Sequence, residues 1–257
     1  MKLKNSITLL LLLFSIHLFA NSDTTKQKTS TIVHTPTNSL EESVNFYKKL
    51  DYEFISETNP TLMSDGKVVV EINPDRIARA GVKIFKESWT KEVEQLKEFT
   101  TVFKIENGHL LNDLNACWIY LIEDSLDHDH QLVDSSSAVP GNFMGLSLES
   151  ANMSQSLEIW SVLGFSITMG SVDSGFIVIQ NEEGFGISMM HPLNCPHLFF
   201  NPSMTFFNGE NNLEVIEKIR DLNIPITEEI TVFNKEGIVD NIIIRDPGGF
   251  GFFIFSD

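Results

Sequence analysis

Two short stretches of this chain contain the residue types that bind metal ions. Asp127-His128-Asp129-His130 alternates carboxylates with imidazoles, and His191, Cys195 and His197 flank two prolines further on. A zinc site needs three or four such ligands at one point, and neither stretch has the spacing of a standard zinc motif. We therefore interpret the first stretch as a solvated acidic turn and the second as a connecting loop. Zinc binding by the second stretch is the alternative.

The N-terminal residues have the features of a secretory signal peptide. Lys2 and Lys4 precede an apolar run from Ile7 to Ala20, and small residues follow at the expected cleavage position. The run has 14 residues, fewer than the roughly 20 that span a bilayer, although an uncleaved membrane anchor stays an alternative. We predict a signal peptide at residues 1–22, a flexible lead-in at 23–30, and export to the periplasm or the medium. The mature chain is not expected to insert stably into a membrane.

The composition favours an ordered, acidic protein. Hydrophobic residues make up 42% of the chain and charged residues 21%, which provides enough apolar material for a core. The formal net charge is −17, and a surface this acidic repels phosphate backbones and anionic membranes. Nucleic acid is therefore not an expected partner. The sequence also has no glycine-rich phosphate loop in a strand–helix context and no recognisable Ser–His–Asp arrangement.

Hydrophobic periodicity predicts one order of elements four times over: a strand, a helix and three strands. In the first occurrence, a strand at Thr31–Thr37 precedes an amphipathic helix at Ser39–Leu50. Three further strands are predicted at Tyr52–Ser56, Thr61–Met63 and Val68–Ile72. The later occurrences begin with predicted strands at Val82–Phe85, Met144–Leu148 and Met204–Phe207.

The two halves of the chain are related in sequence. Residues from Ser43 to Phe54 align with residues from Ser156 to Ile167, an offset of 156 − 43 = 113. The segments that begin at Asp113 and Asp246 align further along, at an offset of 246 − 113 = 133. Matches in the same order indicate a duplication. We divide the chain into a first domain at residues 31–123, a linker at 124–141 and a second domain at 142–257.

These motifs resemble those of the vicinal oxygen chelate superfamily, which contains glyoxalase I, fosfomycin- and bleomycin-resistance proteins and extradiol dioxygenases. Ser43–Tyr52 and Ser156–Phe165 are similar to the motif that closes the first helix of a module. Asp246–Phe253 and, more loosely, Asp113–Tyr120 are similar to the motif that opens its last strand. The resemblance covers nearly all of residues 31–257. It implies an α+β fold of four βαβββ modules, paired into two glyoxalase-like domains with curled mixed sheets that each enclose a cup.

The resemblance also implies where a divalent ion would bind. In the superfamily, His and Glu ligands come from the first and last strands of paired modules, and the ion stabilises a substrate enolate or oxyanion. These positions fall on Ile32, Glu71, Val82 and Tyr120 in the first domain and on Gly145, Met189, Ser203 and Phe253 in the second. Only Glu71 is a ligand type. A shift of register would bring His34 beside it, so His34 and Glu71 are the metal candidates, while binding without a metal is the favoured interpretation.

The implied lining of the second cup supplies the candidate ligand-binding residues: Met189, Ser203, Phe206, Asn208 and Phe253. An apolar cleft with a few polar groups is typical of small-molecule sites. The favoured function is therefore binding of a small apolar or aromatic molecule. Two alternatives stay open: a metal-dependent glyoxalase-like lyase or dioxygenase, and a structural or interaction protein whose cups are filled by side chains.

Overall fold

The computed structural model describes residues 31–124, 136 and 138–256. Within them, the predicted order of one strand, one helix and three strands occurs four times. The first module contains β1 (Thr31–Pro36), α1 (Leu40–Lys49), β2 (Glu53–Ser56), β3 (Thr61–Ser64) and β4 (Val69–Asn73). The second contains β5 (Gly81–Lys86), α2 (Thr90–Leu96), β6 (Phe103–Ile105), β7 (Gly108–Asn112) and β8 (Trp118–Glu123).

The second half of the chain repeats this arrangement. The third module contains β9 (Phe143–Glu149), α3 (Met153–Val162), β10 (Ser166–Ser171), β11 (Phe176–Gln180) and β12 (Gly186–Met190). The fourth contains β13 (Ser203–Phe207), α4 (Asn212–Asp221), β14 (Ile226–Ile230), β15 (Asn241–Arg245) and β16 (Gly251–Phe255). Short 3-10 turns precede β11 and α4, at Val172–Ser174 and Gly209–Asn211.

Each half forms one eight-stranded mixed sheet. The strand order is β2-β3-β4-β1-β5-β8-β7-β6 in the first sheet and β10-β11-β12-β9-β13-β16-β15-β14 in the second. Within a module the first strand is parallel to the last, as in β1 with β4 and β5 with β8. Two modules join through an antiparallel pair of first strands, β1 with β5 and β9 with β13. The predicted α+β fold of paired modules is therefore confirmed.

The first helix illustrates how the sequence specifies its elements. The Ser39 side chain caps α1 by accepting a hydrogen bond from the Glu42 backbone N–H at 3.3 Å. Acidic residues occupy the first turn and lysines the last, which suits the helix dipole. Apolar spacing then places Phe46 and Tyr47 on the buried side. The helix is thus fixed at both ends and along one face.

The helices and one face of each sheet form a main core that is continuous between the two halves. Phe46 and Tyr47 of α1 contribute to it, as do Ile159 and Trp160 of α3. The opposite face of each sheet, which we call the cup face, carries a separate apolar cluster. These clusters are Ile32, Leu62 and Val69 in the first half and Ile230, Ile243 and Phe253 in the second. Because strand side chains alternate between faces, the sheet separates each cup from the main core.

Two equivalent turns join the halves. The turn after β15 presents the Asp246 carboxylate to the first half, where Thr35 Oγ1 donates to it at 2.7 Å and Tyr47 OH at 3.2 Å. The turn after β7 presents Asp113 to the second half, where Trp160 Nε1 donates to its carboxylate at 3.4 Å. Tyr47 and Trp160 are equivalent in the repeat, since 160 − 47 = 113. Each half therefore offers one aromatic donor to a buried carboxylate of the other.

Some predictions concern residues outside the described part of the chain. The signal peptide, the lead-in, most of the linker and the Asp127–His130 stretch belong to this group, and they stay predictions. The end of the linker is described, and there the Val139 backbone N–H donates to the Leu50 carbonyl at 3.0 Å. Among residues 31–124 and 138–256, no helix has both the length and the apolar character needed to cross a membrane.

Candidate functional site

The cup face of the first half has a polar side chain near the middle of each of its four central strands. These are His34 on β1, Glu71 on β4, Lys83 on β5 and Tyr120 on β8. His34 lies directly opposite Glu71 in the parallel β1–β4 pair, and Lys83 lies opposite Tyr120 in the β5–β8 pair. Residues opposite each other in a sheet point to the same face. The sheet therefore brings the four side chains together.

An ion pair forms the centre of this polar cluster. Lys83 Nζ lies 2.6 Å from Glu71 Oε1, and the two side chains are only 15% and 6% exposed. A buried carboxylate is costly unless a cation or several donors compensate it. Asn73 Nδ2 contributes a longer contact to the same oxygen, at 3.5 Å. The Glu71 charge is thus compensated by the protein itself.

His34 is fully buried and electrically neutral. Burial, followed by the positive charge of Lys83, lowers the pKa of His34 from 6.5 to about 3, although a hydrogen bond to the Arg79 carbonyl acts in the opposite direction. His34 Nδ1 lies 2.7 Å from the Arg79 carbonyl oxygen, so we assign the ring proton to Nδ1. Nε2 then accepts from Asn73 Nδ2 at 3.2 Å. The 3.4 Å approach of Nε2 to Glu71 Oε1 is consequently not an ion pair.

Tyr120 covers the cluster on one side. Its ring centroid lies 4.6 Å from that of His34 and 5.6 Å from Lys83 Nζ. The Tyr120 hydroxyl accepts a hydrogen bond from the Arg79 backbone N–H at 3.0 Å, and burial raises the pKa of the hydroxyl above its usual value. The phenol proton stays free to be donated.

The other side of the first cup is apolar. Ile32, Leu62 and Val69 are buried there, with Ile55 and Phe85 packed against them. A ligand in this cup would meet hydrocarbon on one side, and an ammonium and a phenol on the other. Small-molecule sites commonly combine an apolar wall with a few polar groups in this way.

The donor set of the first cup does not fit a divalent ion. The two candidate ligands, His34 and Glu71, do lie side by side, as the alternative register predicts. However, His34 Nε2 accepts from Asn73, and Glu71 Oε1 is paired with Lys83. An ammonium cannot ligate a cation, and it repels one. No group of three His, Cys, Asp or Glu side chains suited to a metal occurs anywhere in residues 31–124, 136 and 138–256.

The second half has hydroxyl groups where the first has charges. The register makes Ser147, Ser188, Thr205 and Phe253 the equivalents of His34, Glu71, Lys83 and Tyr120. Ser147 Oγ lies 2.8 Å from Ser188 Oγ and 2.6 Å from Thr205 Oγ1. The three hydroxyls satisfy one another, so this cluster carries no charge.

A loop of the chain itself fills part of the second cup. The connection from β12 to β13 spans residues 191–202, whereas its equivalent in the first half spans only residues 74–80. The extra length brings Phe199 to 5.0 Å from the Phe253 ring and His197 to 5.3 Å from both Phe253 and Phe255. Phe200 packs on the same cluster. Aromatic side chains thus occupy the fourth-module side of the second cup.

The five predicted ligand-binding residues do not come together. Met189 and Phe206 lie in the main core, on the helix side of the sheet. Asn208 lies beyond the end of β13 and bonds to the Pro140 carbonyl and to Asn212. Ser203 faces the cup and donates to the Phe200 carbonyl at 2.5 Å. Phe253 also lies on the cup face, beneath the loop.

The loop residues considered as zinc ligands are likewise apart. His191 is exposed, and His197 packs among phenylalanine rings. Cys195 Sγ lies 3.0 Å from Met190 Sδ, and burial, followed by the charge of Glu149, raises the pKa of this thiol to about 11. A thiol with a raised pKa is a poor ligand and a poor nucleophile.

Sequence reasoning missed Lys83. It assigned Val82 to the cup, but Val82 belongs to the main core and Lys83 faces the cup. The signal was present in Val82-Lys83-Ile84, where a lysine between two apolar residues marks the face away from the core. Asn73, the last residue of β4, and Arg79, which takes part through its backbone carbonyl, were missed because periodicity does not reveal such contacts.

Two sheets, each assembled from paired βαβββ modules, give the chain a fold that is similar to those of solved dioxygenases and of a solved glyoxalase. The structure is similar to the 2,3-dioxygenase LapB from Pseudomonas sp. KL28, with a TM-score of 0.55 and 13% identity over 88% of this chain and 92% of that one. It is similar to a Mn(II)-bound glyoxalase from Novosphingobium aromaticivorans, with a TM-score of 0.55 and 14% identity over 88% and 81%.

A third similar structure is the E323L mutant of homoprotocatechuate 2,3-dioxygenase from Brevibacterium fuscum. Its TM-score is 0.56 at 11% identity, over 90% of this chain and 71% of that one. No family model and no curated protein matches the sequence. At these identities the similarity establishes the fold, while the chemistry must be argued from the site.

Proposed function

We propose that this protein is exported and binds a small molecule in the cup of its first half without a divalent ion. The observation that carries the proposal is the Lys83 ammonium, 2.6 Å from Glu71 Oε1 and beside a neutral His34. In this cluster an internal ammonium supplies the positive charge that a metal ion would bring. This ammonium would repel a second cation.

The cluster also indicates the class of ligand. An ammonium has three protons, and the contact with Glu71 uses one, so Lys83 can donate to a ligand oxygen. Tyr120 can donate its phenol proton to the same ligand. Ile32, Leu62 and Phe85 offer apolar surface nearby. These features favour a small molecule with an apolar or aromatic body and a carboxylate, phenolate or carbonyl oxygen.

Ligand-induced stabilisation tests the proposal. Aromatic carboxylates and phenols, with the corresponding hydrocarbons as a comparison panel, would be added to the protein while its melting temperature is measured. A ligand at 100 times its Kd raises the free energy of unfolding by about 2.7 kcal/mol. We expect the oxygen-bearing compounds to raise the melting temperature and the hydrocarbons to do so less.

The matched variants are Glu71→Gln/Lys83→Met, which removes both charges together, and Thr205→Val at the equivalent position of the second half. The double variant should lose the ligand response and Thr205→Val should keep it. An equal response in all three proteins, or no response to any compound, would contradict binding at this site.

Metal-dependent chemistry is the second candidate, because a similar structure is a Mn(II)-bound glyoxalase. Elemental analysis of the purified protein separates the two. One divalent ion per chain that disappears in Glu71→Ala would favour a glyoxalase-like lyase or dioxygenase over metal-free binding. The filling of the second cup by His197, Phe199 and Phe200 favours a third candidate, a structural role, for that half alone.

Export has its own test. A chain that lacks residues 1–22 should stay inside the producing cell, and the exported full-length chain should have a mature mass that starts near Asp23. An exported protein of unprocessed mass would indicate a retained membrane anchor instead.

A further inference from the structure

Two grooves lie between the halves at equivalent positions of the repeat. The residues that line the first groove include the end of α1 and the end of β13: Asp51, Phe207 and Asn208. Their equivalents at the end of α3 and the end of β5 line the second groove: Gly164, Phe85 and Lys86. The helix ends follow the sequence offset of 113, and the strand ends follow the register of β5 and β13. The first groove therefore indicates what the second can hold.

The end of the linker lies along the first groove. There the Val139 backbone N–H donates to the Leu50 carbonyl at the end of α1, at 3.0 Å. Ser136 Oγ donates to the Asp65 carbonyl in the turn between β3 and β4, at 3.2 Å. Ala138, between these two contacts, is buried. The segment that precedes β9 is thus bound by two elements of the other half.

The segment that precedes β1 starts from the equivalent place on the second groove. β1 and β9 are equivalent, so residues 23–30, which lie outside the described part of the chain, correspond to residues 136–143. Asn181 is the equivalent of Asp65, lines the second groove, and donates from Nδ2 to Thr31 Oγ1 at 3.1 Å. Eight residues are long enough to follow the groove, because the same number connects β9 with the Asp65 turn.

The second groove has room for such a segment. It contains a cavity of about 380 Å³, and its lining by described residues includes no counterpart of the linker end. The Leu163 carbonyl at the end of α3 is the equivalent of the Leu50 carbonyl that binds the linker. An extended segment can therefore bond to the second half as the linker end bonds to the first.

The two grooves differ in charge, and each matches its own segment. The charged residues that line the first groove are one acid and one base, Asp51 and Lys218, and residues 136–142 contain no charge. The charged residues that line the second are one base and three acids: Lys86, Glu92, Glu182 and Glu183. The second groove is therefore negative, which favours a basic segment.

Residues 23–30 form such a segment, with Lys26 and Lys28 against the single acid Asp23. The end of α3 adds to the attraction, because its last turn has no basic residue whereas that of α1 has Lys48 and Lys49. The carbonyl end of a helix without its own cation favours a cation nearby.

We propose that residues 23–30 dock in the second groove as an extended segment, as the linker end does in the first. Lys26 and Lys28 pair with the glutamates of the turn between β11 and β12, and the backbone bonds to the Leu163 carbonyl. Composition alone predicts a flexible lead-in for these residues, whereas docking makes them part of the contact between the halves.

Hydrogen exchange of the exported chain, followed by mass spectrometry of the peptide that covers residues 23–30, tests the docking. We expect its backbone amides to exchange at least about tenfold more slowly than in a free peptide of the same sequence. Lys26→Glu/Lys28→Glu should remove this protection, because it places acids in an acidic groove. The matched control is Lys104→Glu/Lys235→Glu, which makes the same charge change on exposed residues elsewhere and should keep the protection.

An exchange of charges completes the test. Glu182→Lys/Glu183→Lys should also remove the protection, and its combination with Lys26→Glu/Lys28→Glu should restore it. Amides that exchange as in the free peptide would overturn the proposal, as would protection that the lysine reversal leaves unchanged or that the exchange of charges fails to restore. Protection that appears only at high protein concentration, together with a doubled molar mass, would assign the segment to the groove of a second copy and overturn docking within one chain.

Discussion

The centres of the two cups occupy equivalent positions on equivalent strands, yet one is charged and the other is neutral. His34, Glu71 and Lys83 in the first half correspond to Ser147, Ser188 and Thr205 in the second. The hydroxyls satisfy one another at 2.6 and 2.8 Å, whereas the carboxylate depends on one ammonium. The fold therefore accommodates either chemistry, and we expect the loss of one partner to destabilise the charged centre more than the neutral one.

The two turns that join the halves are also equivalent in position but differ in their contacts. Asp113 and Asp246 are both buried and both accept donors from the opposite half. Two residues further on, the first turn has Asn115, whose Nδ2 donates to Ser156 Oγ at 2.6 Å, and the second has Gly248. A Cβ on Gly248 would lie 1.8 Å from the Pro36 carbonyl oxygen. Besides its aspartate, the first turn thus joins the halves through the Asn115 side chain, and the second through a close backbone approach at Gly248.

The largest effect that we expect comes from Lys83→Met. The substitution leaves Glu71 buried without its cation, and breaking such a pair costs about 3–5 kcal/mol. Thr205→Val at the equivalent position should cost only about 1 kcal/mol, because Ser147 keeps Ser188 as a partner. Urea unfolding of the two variants measures the difference.

The double variant Glu71→Gln/Lys83→Met tests whether the unpaired charge causes this loss. With both charges gone, most of the lost free energy of unfolding should return. If Lys83→Met is as mild as Thr205→Val, the Glu71 carboxylate is not compensated chiefly by Lys83, and the contrast between the cups would be wrong.

The next effect is that of Gly248→Ala. The added methyl group collides with the Pro36 carbonyl across the contact between the halves, and we expect a loss of about 3 kcal/mol in the free energy of unfolding. Gly237→Ala is the control, because its Cβ would meet open space and only the positive φ of 71° opposes it. Thermal unfolding of both variants compares the close approach at Gly248, whose φ lies outside the left-handed region, with the cost of the backbone conformation alone at Gly237.

The sequence predicts the modules well because each has its own periodic signal. The capping Ser39, the apolar spacing of α1 and the aligned Asp113 and Asp246 segments all have local signatures. The fourth module is predicted less exactly, because its apolar pattern predicts the second strand near Glu229–Phe233 whereas β14 lies at Ile226–Ile230. The edge position of this strand exposes glutamates within it, and these weaken the apolar pattern.

The cup residues are harder to predict because a strand has a period of two. An error of one residue exchanges the faces of a strand, which is why Val82 was assigned in place of Lys83, and Met189 in place of Ser188. No local sequence pattern predicts that Phe199 and His197 fill part of the second cup. It depends on a loop folding over β16, and such long-range packing is absent from periodicity.

The smallest effect concerns the pH dependence of the buried carboxylates. Burial raises the pKa of Asp113 from 3.8 to about 6, although hydrogen bonds from Asn115, Trp160 and Cys117 act in the opposite direction. A carboxyl group whose pKa is higher in the folded state than in the unfolded state stabilises the folded protein at pH values below the pKa of the unfolded state. This contribution is lost as the pH rises through the folded-state pKa of about 6. Between pH 4 and pH 7 the contribution of Asp113 should fall by on the order of 2–3 kcal/mol.

Asp113→Asn should therefore flatten the dependence of the free energy of unfolding on pH in that window, as measured by urea unfolding at several pH values. Burial also raises the pKa of Asp246, so Asp246→Asn should change the slope in the same direction. If the two turns are equivalent, the double variant should be flatter than either single one. If the slope in Asp113→Asn equals that of the wild type, the hydrogen-bond donors around Asp113 offset the effect of burial on its pKa. The two turns would then differ in the charge of their carboxyl groups as well as in how closely their backbones approach the other half.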